Sequence, residues 1–384
     1  MNSKEREENA RPRVVLSANT AWFITNFCSG LIDGLKAAGY EPLVFAPADA
    51  SVEGAMRALG VEHHPVAVER SGLNPIADIA QLTRYYRLLS RCRPAAYLGY
   101  TIKPNIYGAW AARRLGIAVI PNVSGLGTAF IRPGLLQWTV THLYRSAFRN
   151  LRTVFFQNAE DSRLFVERGI IRSDQAAVLP GLGIDLSRFT PAPPPESRST
   201  FLLIGRLLRD KGVAEFVEAA RMLRGEMPDA RFQLLGPIDQ GNLTAVAKAD
   251  VDSWVAEGTI EYLGTTDDVR PFIAAATAIV LPSYREGMPQ SLLEGAAMGR
   301  PLIASDVPGC RDAVEDGING YLCAARDPAS LASAMRRVAE LPKNGWLAMG
   351  ENARSKVKER FSEEIVVRAY LDVLARVASA RQGG

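Results

Sequence analysis

Hydrophobic positions along this chain follow two rhythms. Short apolar runs such as Val14-Val-Leu16, Leu202-Leu-Ile204 and Ile279-Val-Leu281 alternate with longer stretches whose apolar residues return every three or four positions. Kept up almost throughout, that alternation predicts βαβ units and parallel sheets. Two series separate. The first places strands at residues 14–17, 42–46, 61–68, 96–100, 118–123 and 153–157, with helices such as 23–38 and 76–92 between them. The second places strands at 201–205, 231–235, 260–263, 278–281, 302–304 and 320–323. Each series reads as one doubly wound α/β sheet.

Between the series lies Pro191-Ala-Pro-Pro-Pro-Glu-Ser-Arg-Ser199. Its prolines can neither continue a helix nor donate to a sheet ladder, so a domain boundary is expected there. The expected domains are residues 1–190 and 197–360, with residues 361–384 as a helix that crosses back to the first. That helix is amphipathic, apolar at Ile365, Val366, Ala369, Tyr370, Val373, Leu374 and Val377, and must dock on something. Two hinged α/β domains set the carboxyl ends of two parallel sheets opposite one another, and an inter-domain cleft is the expected ligand site.

Composition narrows the function classes. The 45 basic and 41 acidic side chains leave a net charge of +4, and 47% of the 384 residues are apolar. This is a globular balance, and the length suits about two domains at roughly 100–200 residues each. A net +4 is too weak to suggest nucleic acid. The longest nearly unbroken apolar run, residues 272–281, falls short of the roughly 20 needed to cross a bilayer. Residues 1–13 are polar and charged with no apolar core behind them, so no secretory signal is expected and the cytoplasm is the expected compartment. Cys28, Cys92, Cys310 and Cys323 form no C-x-x-C pair, which favours reduced thiols. His63 and His64 would face opposite sides of a strand, and His142 sits in an apolar helical stretch, where a packing role is expected. Little remains for a histidine metal site or a Ser-His-Asp triad.

The chemistry-bearing residues cluster in the second series. In Ile279-Val-Leu-Pro-Ser-Tyr-Arg-Glu286-Gly-Met-Pro-Gln-Ser-Leu-Leu-Glu294 a buried strand ends at Pro282, a loop carries Glu286 and Gly287, and a helix opens near Pro289. Backbone amides of Met288 to Ser291 would then point out of the helix start, suited to anionic or hydroxyl-bearing ligands. Glu294 falls more than a turn inside that helix, and two carboxylates so placed could bind two sets of hydroxyls. Upstream, Phe201-Leu-Leu-Ile-Gly205-Arg206 … Lys211-Gly212 is again strand, loop and helix. Arg206 and Lys211 would put a bidentate donor and a point charge where a diphosphate could be neutralised. An arginine directly after an apolar strand is expected to have a partner.

These residues resemble the retaining glycosyltransferases of family 4, whose GT-B fold sets two Rossmann-like domains face to face. The likeness rests on Gly205-Arg206 … Lys211-Gly212, on Leu281-Pro-Ser … Glu286-Gly-Met-Pro … Glu294 and on Gly317-Ile-Asn-Gly320-Tyr-Leu. Thr101-Ile-Lys-Pro-Asn-Ile-Tyr107 and Asn122-Val-Ser-Gly-Leu-Gly-Thr128 look most like the capsule and N-glycan branch, enzymes that extend a sugar on polyprenyl diphosphate. The resemblance implies a donor site of Gly205, Arg206, Lys211, Glu286, Gly287, Met288, Pro289, Gln290 and Glu294. Within it Arg206 and Lys211 would hold the diphosphate of a nucleotide sugar, with UDP the preferred nucleotide. Glu286 would lie against the donor sugar and Glu294 would bind the ribose hydroxyls. The reacting set is expected to be Arg206, Lys211 and Glu286, with no cofactor and no metal. Acceptor contacts are expected from Asn19, Thr20, Tyr100, Lys103 and Asn105, with Lys103 standing where many relatives have histidine. The implied reaction moves a hexose or N-acetylhexosamine onto a polyprenyl-diphosphate-linked sugar with retention. A sugar-nucleotide epimerase or a GDP-sugar-dependent transferase on the same scaffold is the alternative.

Three further motifs carry less. Asp250-Val-Asp252 is a D-x-D, yet its surroundings are helical, and a metal-binding pair must end a strand. Gly125-Leu-Gly127 lacks the third glycine and the distal acid of a dinucleotide site. Residues 132–152 interleave Leu135, Leu136, Trp138, Val140, Leu143, Tyr144 and Phe148 with Arg132, Arg145, Arg149 and Arg152. Such a helix reads either as a core helix with an arginine rim or as one lying on an anionic bilayer. A lipid-linked acceptor favours peripheral attachment to the cytoplasmic face of the inner membrane.

Overall fold

A computed structural model describes residues 11–69, 74–126, 130, 134–196, 199–239, 241–242 and 244–382. The chain divides into two compact units, one running to Gly183 and resuming at Glu363, the other from Ile184 to Ser362. In the first, strands β1 (Arg13–Ser17), β2 (Glu41–Ala46), β3 (Glu62–Pro65), β4 (Ala96–Tyr100), β5 (Ala118–Val123), β6 (Val154–Phe156) and β7 (Ala176–Val178) form one parallel sheet in the order β3-β2-β1-β4-β5-β6-β7. In the second, β8 (Thr200–Ile204), β9 (Arg231–Leu235), β10 (Glu261–Tyr262), β11 (Ala278–Leu281), β12 (Leu302–Ser305) and β13 (Gly320–Cys323) pair in parallel as β10-β9-β8-β11-β12-β13. The α/β class with two doubly wound parallel sheets is as expected from the sequence. The expected strand at 61–68 shrinks to four residues, and the expected helix at 23–38 breaks at Cys28 into Ala21–Phe27 and Ser29–Ala37. Edge strand β7 was not expected, because Ala-Ala-Val carries too little pattern.

Helices cover both faces of each sheet, so the central strands are apolar along their whole length. In the first unit successive strand residues serve opposite cores. Val15, Tyr97 and Val119 pack under the helices Pro75–Cys92, Ala109–Arg114, Leu135–Phe148 and Ala159–Glu167. Val14, Leu98 and Ile120 pack under Ala21–Phe27, Ser29–Ala37, Glu53–Ala58 and the last helix, Glu363–Gln382. The last helix therefore docks within the first unit. It buries Val366, Tyr370, Val373 and Leu374, whereas Ile365, read as part of the apolar face, is 37% exposed. The Tyr370 hydroxyl accepts a hydrogen bond from Asn122 Nδ2 at 3.0 Å, and the Tyr370 ring meets Phe155 edge-on.

The first crossing between units falls at 183/184, ahead of the proline-rich stretch. The start of that stretch is no free linker. The buried Arg300 guanidinium donates to the carbonyls of Ala192 and Pro193 as well as Ile273 and Ala274, which fixes the stretch to the second unit. Four carbonyl partners satisfy a cation that burial would otherwise strongly disfavour.

Tyr370→Phe leaves the buried Asn122 amide without its acceptor and is expected to cost about 1–3 kcal/mol. Urea unfolding would show a lowered midpoint; an unchanged one would mean that the bond does not hold the last helix.

Candidate active site

Strand order reverses between β8 and β11 in the second sheet, and at such switch points the loops leaving the carboxyl ends part and leave room for a ligand. The loop after β8 carries Gly205, Arg206 and Lys211. Gly212 adopts φ +72°, and a Cβ there would lie 2.1 Å from the Pro282 carbonyl oxygen at the end of β11. Only glycine permits this approach. It brings Lys211 Nζ to 2.5 Å from Glu286 Oε1, a contact between residues 75 apart in sequence. From the other side Gly309, φ +78°, lies against Gly287, where a Cβ would meet the carbonyl oxygen at 2.3 Å. Loops after β8, β11 and β12 thus close around Glu286.

Arg206 has the partner expected of an arginine directly after an apolar strand. Its side chain is 54% exposed, and it meets Asp239 Oδ2 at 3.1 Å, across from the end of β9. Each of the two expected diphosphate cations is therefore held by an acid. Asp239 went unnoticed in the sequence because no local spacing links it to Arg206; only the adjacency of β8 and β9 does.

The helix expected near Pro289 runs Gln290–Ala297 with Pro289 as its extended N-cap, and Gly287, Met288 and Pro289 are buried at its entrance. Dense surroundings push the Glu294 carboxyl from its ordinary 4.5 up to about 8, with the charge of Arg188 pulling the other way. Arg188 was not singled out from the sequence; it lies in the segment that enters the second unit, and its amide is capped by Asp185. Beside Lys211, the Tyr284 hydroxyl donates to Glu215 Oε1 at 2.6 Å, and its ring lies under the Arg326 guanidinium at 4.4 Å. Burial and the Glu215 carboxylate push this phenol up to about 12.

The first sheet reverses between β1 and β4, and the expected acceptor residues flank that point. Asn19 and Thr20 follow β1, both half-buried, and the Thr20 hydroxyl caps the helix Ala21–Phe27 by accepting from Phe23 N. After β4, Thr101 holds a left-handed φ of +64° and a π-helical turn, Pro104–Gly108, follows. Non-glycine residues adopt that φ at a cost and tend to do so at working sites. Tyr100 and Asn105 correct the expectation of ligand contact, since both are fully buried. Tyr100 packs against Phe23 and Tyr370, and Asn105 Nδ2 donates to the Asn122 carbonyl. Lys103 is held by Asp78 at 2.8 Å with Glu69 at 3.8 Å.

The rival motifs resolve simply. Asp250 and Asp252 lie exposed on the helix Lys248–Ala256, with Asp252 paired to Lys248 one turn away. His142 is exposed, its ring tilted against Trp138 instead of packed in a core. Gly127, Thr128 and Arg132 lie outside the described residues. Among the described residues no group of three His, Cys, Asp or Glu is placed to hold a metal ion, and no helix is long and apolar enough to cross a membrane.

Residues 24–181 match the glycosyl transferase 4-like domain, and residues 198–340 match the glycosyl transferases group 1 domain. Over 372 residues, 92% of this chain and 96% of the relative, the sequence is 27% identical to the N,N'-diacetylbacillosaminyl-diphospho-undecaprenol alpha-1,3-N-acetylgalactosaminyltransferase of Campylobacter jejuni. It is 25% identical over 302 residues, 75% of this chain and 76% of the relative, to an Escherichia coli UDP-Gal:alpha-D-GlcNAc-diphosphoundecaprenol alpha-1,3-galactosyltransferase. Among solved structures, Anabaena Alr3699/HepE in complex with UDP and glucose superposes with a TM-score of 0.78 at 17% identity, covering 95% of this chain and all of that one. A glycosyltransferase from Rickettsia africae superposes with 0.76 at 16% identity, covering 96% and 99%. With both domains matched in order and both sheets of the expected kind, the chain belongs to the GT4-type glycosyltransferases and has their GT-B fold.

Proposed function

We propose that the chain is a retaining glycosyltransferase that moves a hexose or N-acetylhexosamine from a UDP-sugar to a polyprenyl-diphosphate-linked sugar in cell-surface polysaccharide or glycan assembly. One observation carries this reading. A guanidinium and an ammonium from the loop after β8 stand at the switch point of the second sheet, beside a carboxylate from the loop after β11. The Campylobacter and E. coli relatives are named for acceptors on diphospho-undecaprenol, and the E. coli name and the Anabaena complex supply UDP.

Breaking the bond between the anomeric carbon and the phosphate oxygen builds negative charge on the departing diphosphate. Fixed cations placed there lower the barrier most. Arg206 exchanges Asp239, and Lys211 exchanges Glu286, for phosphate oxygens. The Glu286 carboxylate, no longer paired with Lys211, then accepts donor-sugar hydroxyls. The Met288 and Gln290 amides at the helix entrance favour the anionic or hydroxyl-rich part of the donor. In a front-face transfer the acceptor oxygen bonds the anomeric carbon on the side the phosphate leaves, and the acceptor's proton passes to the leaving phosphate. Asn19, Thr20 and Lys103 are the acceptor-side residues that reach the surface of the first unit. A lipid-borne acceptor places the enzyme at the cytoplasmic face of the membrane as a peripheral protein.

Arg206→Ala and Lys211→Ala are each expected to lower turnover about 100- to 1000-fold, the loss of roughly 2.7–4 kcal/mol of transition-state stabilisation. The assay pairs a panel of UDP- and GDP-sugars with an undecaprenyl-diphosphate sugar, and near wild-type turnover in both variants would discard the diphosphate assignment. The same panel in a thermal-shift screen identifies the donor, which stabilises the chain by mass action.

Glu294 supplies a pH test. Its folded value of about 8 exceeds the ordinary 4.5, so its stabilising contribution is complete below about 4.5 and is lost as pH rises through about 8. Two ribose hydroxyls need an ionised acceptor. UDP affinity is therefore expected to rise with pH by up to about tenfold per unit to near 8 and to level off above it. Calorimetric titration with Glu294→Gln should give weaker, pH-independent binding; a wild-type affinity that falls from pH 6 to 8 would reject this role.

A further inference from the structure

The loops that carry Lys211 and Glu286 meet at a side chain with no part in the donor chemistry. Tyr284 stands two residues before Glu286, where β11 has ended and the helix Gln290–Ala297 has not begun. Neither a strand ladder nor a helical turn fixes that segment, so contacts from other elements must hold it. The Tyr284 amide donates to the Asp210 carbonyl at 2.9 Å, one residue before Lys211. The Tyr284 hydroxyl donates to Glu215 Oε1 at 2.6 Å, in the first turn of the helix Val213–Arg224. Lys211 is thereby bracketed, with the residue before it and the turn after it both tied to Tyr284.

A third element grips the ring. The Arg326 guanidinium lies 4.4 Å from the ring centroid, a cation on an aromatic face. Arg326 belongs to the loop after β13 and holds a left-handed φ of +62°, a conformation a non-glycine residue adopts at a cost. Its loop is fastened on both sides: the Ala324 amide donates to the Ser330 hydroxyl, and Asp327 caps the Ser330 amide at the start of the helix Pro328–Ala339. That helix and Val213–Arg224 share one core. Tyr284 is therefore pegged between the entrances of two helices packed on each other.

Glu215 is the less ordinary partner. It is half-buried, and its Oε2 has no hydrogen-bond partner among the described residues. A carboxylate with one oxygen withdrawn from water and unpaired is unfavourable, so stability alone does not account for an acid here. What the acid supplies is a charged acceptor, which makes a shorter and stronger hydrogen bond than a neutral one. The phenol, pushed up to about 12, keeps its proton for that bond at working pH.

We propose that Tyr284 is a positioning residue for the transfer: clasped by Glu215, it fixes the loop after β11 against the loop after β8 and so holds the Lys211 ammonium in register with Glu286. This rests on the reading of Lys211 as a cation for the leaving group. The Tyr284 hydroxyl is spent on Glu215, so the residue acts through the backbone of two loops and not on a reacting atom. Lys211 carries its charge on a flexible four-carbon stem, which leaves the backbone to decide where that charge sits.

The test uses the full chain and reads two quantities. Y284F and E215A are each expected to lower kcat about 10- to 100-fold with the donor KM within about twofold, because the loss falls on placement at the transition state. The double variant should be no slower than either single one, since both changes remove one bond. E215Q keeps an acceptor for the hydroxyl and should stay within about threefold of the wild type. The second readout needs no substrate: labelling of lysine amines with acetic anhydride, followed by mass spectrometry. Lys211, a quarter exposed and engaged by Glu286, should label severalfold faster in Y284F and E215A, with the exposed Lys343 and Lys358 unchanged.

Unchanged kcat or unchanged Lys211 labelling in a folded Y284F would overturn the proposal. So would multiplying losses in the double variant, or a loss in E215Q as large as in E215A. Slower turnover that only tracks a lowered unfolding midpoint would make Tyr284 a stabilising residue and overturn it as well. A wild type that transfers no sugar from any donor in the panel would reject the proposed function instead, and the labelling pattern would still decide whether Tyr284 positions Lys211.

Discussion

The handedness of the parallel crossover is the constraint from which the rest follows. Successive parallel strands joined through a helix turn right-handed, so the direction in which a strand is added decides the face its helix covers. In the first unit the sheet grows outward from β1 both ways. Crossovers toward β7 put their helices on one face and crossovers toward β3 put theirs on the other, as the two separate cores show. Growth in two directions creates the switch points. It also sorts the helices between residues 75 and 148 onto one side, so that a stretch with no acid after Asp78 covers one face of the sheet.

Charge in the two units is managed in opposite ways. At the second switch point the two cations proposed for the diphosphate are answered: Arg206 by Asp239 and Lys211 by Glu286, within hydrogen-bond distance. These two pairs tie the loops after β8, β9 and β11 together, and in the proposed donor site a dianionic diphosphate would replace single carboxylates with oxygens that bridge both cations. Under that proposal, binding would have to release two ion pairs. Arg206–Asp239 is largely solvated and cheap to break, whereas Lys211–Glu286 is more enclosed and holds its geometry better. On the outer helices of the first unit the guanidinium groups have no such answer, and exposed arginines without acids are tolerated there only because water solvates them.

Much of this was legible in the sequence because parallel strands buried on both faces advertise themselves as unbroken apolar runs. Both ends of β1, β4, β8, β11 and β12 fell within one residue of expectation. Arg206, Lys211, Glu286 and Glu294 were readable because each sits at a fixed distance from a strand end. What failed to show was whatever depends on non-local pairing. Asp239 reaches Arg206 only through the β8–β9 register, and Arg188 reaches Glu294 only through the way the chain enters the second unit. Tyr100 and Asn105 misled for the reverse reason: their place at the end of β4 suggested a loop, while the π-helical turn and the Glu363–Gln382 helix wall them in.

The glycines at the site show how local conformation and distant chemistry become one requirement. Gly212 is needed for its left-handed φ, but the deeper reason is the Pro282 carbonyl that a side chain would strike. Moving the loop back to make room would draw Lys211 away from Glu286, and with it one of the two cations proposed for the leaving group. Gly309 restrains Glu286 from the opposite side through Gly287. The position of the carboxylate is therefore set by two backbone approaches with no side chain between them. Such contacts leave almost no slack, and slack of even an ångström is what a site built to stabilise developing charge can least tolerate.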